Sequence, residues 1–211
     1  MFRVDQAKQA LRAIRWRMEE NRDHLIELDS RIGDGDLGLT MTRAFSAADD
    51  QLAGWGQTDV GAYFMQVGLV MSKAAPSTIG TLLGTGFIRG GKAVRGKADL
   101  DVPDLAVFFR ALVDAVTELG RTKPGNKTVV DVLNPVAEAA EAAARQGADA
   151  AHLAIVIRRA ASEGAEAAKE MIAQHGKAAV FREQTRGRPD PGAAAGVLVV
   201  DGFCSVFEVL E

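Results

Sequence analysis

The chain has 211 residues, 47% of them hydrophobic and 25% charged, with a formal net charge of −3 from 25 Lys+Arg against 28 Asp+Glu. That length can bury a core in one unit, so residues 1–211 are expected to form a single domain, and the composition excludes a disordered chain. No Lys/Arg cluster stands out and no apolar run is long enough to span a bilayer, which argues against nucleic acid and membrane as partners.

The N-terminus, Met1-Phe2-Arg3-Val4-Asp5-Gln6, is polar and periodic, unlike a signal peptide. Val4, Ala7, Leu11, Ile14 and Met18 then step by three or four and mark one buried stripe on a first helix. After an acidic loop, Met41, Ala44, Phe45, Ala48 and Leu52 repeat the pattern. Asp59 reads as the N-cap of a helix carrying Val60, Tyr63, Phe64, Val67, Val70 and Met71. A fourth helix is expected from Ile79 to Lys92. Pro103 opens a fifth, with Leu105, Phe108, Leu112, Val116 and Leu119 inward and Gly120 stopping it. Alanine-rich helices follow over Val129 to Gln146 and Asp149 to Ala173, and Pro191 to Leu210 closes the chain. The single cysteine, Cys204, excludes an internal disulfide, fits a cytoplasmic location, and reads as a packing residue. No segment alternates with period two. The fold class is therefore all-α, with about eight antiparallel up-and-down helices.

Four loops combine glycine or proline with polar residues: Asp29–Gly38, Ala74–Gly80, Arg121–Thr128 and Gly187–Gly192. They follow alternate helices, so an antiparallel array gathers them at one end.

The loop Asp29-Ser30-Arg31-Ile32-Gly33-Asp34-Gly35-Asp36-Leu37-Gly38 carries the strongest chemical signal. Clustered carboxylates repel unless a cation or donors compensate, and Gly33, Gly35 and Gly38 let the chain fold tightly. Few carboxylates together with phosphate oxygens are what Mg²⁺ takes, so Asp29, Asp34 and Asp36 point to a metal–nucleotide site. A solvated turn in which Asp36 caps the next helix uses the same residues. An EF-hand does not match, because the twelfth position counted from Asp34 is Phe45. Gly120-Arg121-Thr122-Lys123-Pro124-Gly125-Asn126-Lys127-Thr128 is not a P-loop: Asn126 separates the second glycine from lysine, and a helix precedes it. It reads as a helix-connecting turn. Gly84-Thr85-Gly86 reads as a close helix contact, His24, His152 and His175 as surface residues, and Met41, Met65 and Met71 as core.

Taken together, four motifs resemble the nucleotide-binding L subunit (DhaL) family of dihydroxyacetone kinase. They are Leu28-Asp29-Ser30-Arg31-Ile32-Gly33-Asp34-Gly35-Asp36, Ile79-Gly80-Thr81-Leu82-Leu83-Gly84-Thr85, Pro124-Gly125-Asn126-Lys127-Thr128-Val129-Val130-Asp131-Val132 and Asp190-Pro191-Gly192-Ala193. The resemblance implies an eight-helix barrel with ADP or ATP at one end. It implies that Asp29, Asp34 and Asp36 hold two Mg²⁺ ions against the phosphates, with Leu37, Gly38, Leu39 and Thr40 beside them. Thr78 and Ile79 would meet the nucleotide, Gly120 and Val129 would flank the base, and Lys177 with Asp190, Pro191 and Gly192 would complete the pocket. Departures from the family pattern are Leu37 for a usual histidine, Asn126 for aspartate, Lys177 for arginine, and Ala75-Pro76-Ser77-Thr78-Ile79 for a glycine-rich stretch.

On this resemblance the chain is a kinase subunit that presents the phosphoryl donor to a separate ketose-binding (DhaK-like) subunit and is inactive without it. The donor would be exchanging ATP, or bound ADP rephosphorylated by a phosphotransferase-system protein. A different acceptor, such as another sugar or an acyl group, and a nucleotide-sensing module without transfer are the competing readings.

Overall fold

The computed structural model describes residues 1–207 and contains, among them, nine α-helices: α1 (Val4–Glu20), α2 (Arg22–Ile32), α3 (Leu37–Leu52), α4 (Val60–Ala74), α5 (Thr78–Ala93), α6 (Val102–Gly120), α7 (Val130–Arg145), α8 (Ala150–Lys169) and α9 (Pro191–Cys204). One more than expected arises because the first two form a broken strut. Asn21, with φ −100° and ψ 11°, ends α1 and begins α2, and its side-chain amide bonds back to the Arg17 carbonyl at 2.9 Å. Counting that strut as one member, each helix packs on its sequence neighbours, and α9 returns to α1 to close an eight-membered ring.

Close helix approach is built from missing side chains. A Cβ on Gly68 would strike the Gly84 carbonyl, and one on Gly91 would lie 2.5 Å from the Gly61 carbonyl. Gly84 is thus a helix contact between α4 and α5, as its sequence context suggested. The α9–α1 seam closes likewise at Gly202, where a Cβ would sit 2.7 Å from Ile14 Cα. Inside the ring, Phe2, Phe64, Phe87, Phe108, Phe109 and Phe203 form a chain of aromatic contacts, with Phe64 and Phe108 centroids 4.5 Å apart. Cys204 is fully buried, its thiol 3.5 Å from the Ala154 carbonyl.

Some local expectations need correction. Two two-residue strands, β1 (Phe2–Arg3) and β2 (Asp99–Leu100), pair antiparallel, too short to show alternation in sequence. Leu119 is 49% exposed, because it lies beyond the last turn that faces the core, and Met65 is only half-buried. Gly120 is the last residue of α6, and Arg121 takes the left-handed cap at φ 48°. After α8 the chain leaves the helix at Lys169, and Lys177–Thr185 forms a 3₁₀ segment kinked at Arg182. The closing helix stops at Cys204 and gives way to a 3₁₀ turn over Ser205–Phe207; the remainder of the expected helix lies outside the described residues. No helix among the described residues is long and apolar enough to cross a membrane.

Candidate functional site

The up-and-down order delivers all four glycine- and proline-rich loops to one end of the ring, where they line a cleft of about 420 Å³. The same order places the starts of α3, α5, α7 and α9 at this cleft. Leu37, Thr78, Val129 and Pro191 all line it. Although the first N–H groups of α7 are already paired and α9 is capped by Asp190, each helix start contributes a partial positive charge, so the inner end of the cleft favours an anion.

One lip is acidic. Asp29, Asp34 and Asp36 present ligand atoms that all lie within 4.8 Å of one another. Asp29 Oδ2 accepts from the backbone N–H of Asp36 at 3.0 Å and of Leu37 at 3.2 Å, which pins the loop across the start of α3. Glycine is required beneath it: a Cβ on Gly33 would collide with the Asp29 carboxylate, and Gly35 adopts φ +74°. Asp36 occupies the N-cap position of α3, yet its side chain makes no cap hydrogen bond. The helix-capping role open to it in the sequence is therefore not the one it takes. Asp34 instead pairs with the Lys177 ammonium, which reaches over from the start of the 3₁₀ segment. Three clustered carboxylates, one of them paired with an ammonium, form a hard-oxygen set that fits Mg²⁺.

The opposite wall is held by buried polar groups. Asp131, 3% exposed, accepts from Gly125 N at 2.5 Å and Thr128 N at 2.7 Å. The Asp131 carboxylate thus takes the place an anion would have in the 121–128 loop, and the P-loop likeness ends there. Lys127, 2% exposed, donates to the carbonyls of Ala168 (2.6 Å), Lys169 (3.1 Å) and Arg188 (2.7 Å), tying that loop to the end of α8 and the approach to α9. Burial lowers its pKa. Asp190 caps α9 by accepting from Ala193 N at 2.7 Å, and burial raises its carboxyl to about 6.

Of the residues singled out in sequence, Asp29, Asp34, Asp36, Leu37, Thr78, Ile79, Val129, Lys177, Asp190, Pro191 and Gly192 line this cleft. Four do not. Gly38 is packed from behind by the Arg22 carbonyl and Ile26, and Leu39 is 51% exposed on the outer face of α3. Thr40 continues that helix one turn on, donating its N–H to the Asp36 carbonyl. Gly120 sits behind Leu82, which takes the lining position in its stead. His175, expected at the surface, is half-buried on the cleft wall, its Nε2 3.1 Å from Asn126 Oδ1. Its only sequence signal is the adjacent Gly176, at φ +64°.

Residues 31–205 match the family described as DAK2 domain. The chain is 33% identical over 177 residues to the PEP-dependent dihydroxyacetone kinase, ADP-binding subunit DhaL, of Escherichia coli strain K12, covering 82% of each. It is 28% identical over 193 residues to the corresponding subunit of kinase 1 of Listeria innocua, covering 89% of this chain and 91% of that one. In three dimensions it resembles the crystal structure of the dihydroxyacetone kinase from C. freundii in complex with AMP-PNP and Mg²⁺, with a TM-score of 0.70 at 20% identity. That likeness concerns the fold and covers 94% of this chain, which spans 33% of the C. freundii kinase chain. By the span of the family match and the identity to the E. coli subunit, the chain is a DhaL-type member of the DAK2-domain family.

Proposed function

We propose that this chain is the nucleotide-binding subunit of a kinase for dihydroxyacetone or a related short-chain ketose, and that residues 1–211 form one cytoplasmic domain binding ADP or ATP with Mg²⁺. The observation that carries this reading is the pairing of opposite potentials in one cleft. Three aspartates gather at the lip, and four helix starts converge within. A polyphosphate bridged by divalent cations satisfies both at once; a free cation or a free anion satisfies only one.

Phosphoryl transfer needs alignment and charge neutralisation more than covalent chemistry. Asp29, Asp34 and Asp36 would hold the metal, two ions being expected from the resemblance, and the metal would screen the charge of the transferred phosphoryl group. The Asp29 carboxylate also orients the backbone of Asp36 and Leu37. Ile79, Leu82, Val129 and Pro191 offer an apolar wall against which an adenine can lie. Lys177, exposed on the cleft wall, would meet terminal phosphate oxygens.

The acceptor would be held by a separate ketose-binding subunit, as the subunit names of the E. coli and Listeria relatives support. Those names also specify PEP dependence, which favours bound ADP rephosphorylated by a phosphotransferase-system protein over exchanging ATP. The test is a coupled assay of dihydroxyacetone phosphorylation with the chain alone, with a ketose-binding subunit, and with each donor system. Turnover is expected only with the second subunit present. Steady turnover by the chain alone, or none in any combination, would overturn the proposal. Another acceptor remains the second reading, because the Leu37 side chain is buried and apolar where the family usually places a histidine.

A further inference from the structure

Lys177 and Asp34 approach each other from different elements, one at the start of the 3₁₀ segment and the other in the acidic loop. Asp34 supplies one of three ligand atoms lying within 4.8 Å of one another, and of those three carboxylates it is the one that the ammonium pairs with. The base from which Lys177 reaches is fixed. Gln174 N donates to the Asn126 carbonyl at 3.1 Å, His175 is held to Asn126 Oδ1 at 3.1 Å, and Gly176 turns the chain at φ +64°. The head group is not fixed. The lysine side chain is 63% exposed and its partner 40%, so the pair is screened by water and readily exchanged.

We propose that in the nucleotide-free protein the Lys177 ammonium stands in for a divalent cation on Asp34, and that nucleotide phosphates draw it away. Lys177 is then a positioning residue that makes metal binding depend on nucleotide. The inference rests on the metal–nucleotide reading and adds an order to it. A dication entering alone must displace an ammonium already bound by Asp34. A dication entering with a polyphosphate finds that ammonium attracted to the phosphate oxygens. Without the lysine, metal alone binds better and the metal–nucleotide pair binds worse. The two effects have opposite signs, which a general loss of structure cannot produce.

Mn²⁺ is the probe, with free ion measured by electron paramagnetic resonance and ADP binding measured by calorimetry. Three full-length proteins are compared: wild type, Lys177→Met and Arg31→Gln. Arg31 is a nearby cation in the last turn of α2 whose exposed guanidinium pairs with Glu27 at 2.5 Å, so it controls for the local field. Lys177→Met is expected to bind Mn²⁺ without nucleotide about two- to fivefold more tightly than wild type, the range for a half-exposed ion pair. It is expected to bind ADP in Mn²⁺ more weakly, while Arg31→Gln stays near wild type in both. Equal or weaker Mn²⁺ binding by Lys177→Met overturns the inference. So does an equal gain by Arg31→Gln. In either case, ADP binding by wild type that requires Mn²⁺ leaves the underlying reading standing. If wild type binds no ADP with Mn²⁺, the site reading and the inference fall together.

Discussion

Replacing Lys127 with Met removes a charge and three donors while keeping an unbranched apolar stem in place. In the native protein Nζ donates to Ala168, Lys169 and Arg188 carbonyls at 2.6, 3.1 and 2.7 Å. The first two belong to the last turn of α8, where Ala168 O also accepts from Met171 N at 3.2 Å and Lys169 O from Gly187 N at 2.7 Å, so each keeps a backbone donor when Nζ is removed. A hydrogen bond from a charged donor contributes about 1.5–3 kcal/mol, so the loss of three sets an upper bound of about 9 kcal/mol. Two effects reduce this. Burial disfavours the ammonium itself, as the lowered pKa of Lys127 shows, and that cost vanishes with the charge. Water can also reach the Arg188 carbonyl, whose residue is exposed. A net loss of about 3 kcal/mol is expected. With a urea m-value of about 2–3 kcal/mol/M, the unfolding midpoint should fall by roughly 1 M. Urea titration followed by far-ultraviolet circular dichroism measures it. A phosphate-contacting lysine would behave oppositely, leaving stability unchanged while nucleotide affinity fell. A stability loss below about 0.5 kcal/mol would refute the reasoning, since it is no more than an ordinary surface substitution produces.

Three further outcomes are expected. Asp36→Asn should weaken ADP binding in Mg²⁺ by about tenfold or more, about 1.4 kcal/mol, and leave unliganded stability unchanged because the native carboxylate caps nothing; equal affinities in paired calorimetric titrations would remove Asp36 from the metal site. Asp190 titrates near 6 in the folded protein against an ordinary value of 3.8, so its contribution is complete below about pH 4 and is lost as pH rises through 6. Asp190→Asn keeps the cap but not the charge, so wild type minus variant stability should decline between pH 4 and 6; a flat difference would contradict the burial argument. Gly68→Ala should cost about 2 kcal/mol or more, because the added methyl meets the Gly84 carbonyl of α5 rather than a mobile side chain. A thermal midpoint within about 2 °C of wild type would show that α4 and α5 separate freely.

The helices were legible because Val4, Ala7, Leu11, Ile14 and Met18, and the later sets like them, bury one face and therefore recur at helical spacing. The gathering of the four loops followed from parity alone. It survived the extra helix because the break at Asn21 continues α1 into α2 and does not reverse the chain. What stayed hidden depends on contacts distant in sequence. Nothing near Lys127 announces that its ammonium ends on carbonyls about sixty residues on, at Arg188. Nothing near Asn126 announces that it grips His175. Residues 170–173 read as helix because they follow the alanine-rich run without a glycine or proline, whereas the break at Lys169 is fixed by the Gly187 N–H bonding back to the Lys169 carbonyl. Gly38, Leu39, Thr40 and Gly120 lie beside the motif residues that line the cleft but do not line it themselves, because lining is set by how each helix is rotated and not by sequence position alone.

Closing the ring by packing α9 on α1 also decides where the chain can be joined to something else. Phe2 stacks near Phe203 and Phe207, at centroid distances of 5.3 and 5.7 Å, so both ends of the described chain meet at the pole away from the cleft. A covalent tether at that pole need not cross the cleft or strain the acidic loop. Such a barrel can serve equally as a detached carrier that visits its partner or as one bead of a longer polypeptide. A sequence relative of similar length and a structurally similar kinase chain about three times as long illustrate the two cases. The choice between diffusion and tethering is thus left to the connecting chain, and either leaves the lining of the cleft at the other pole uncovered.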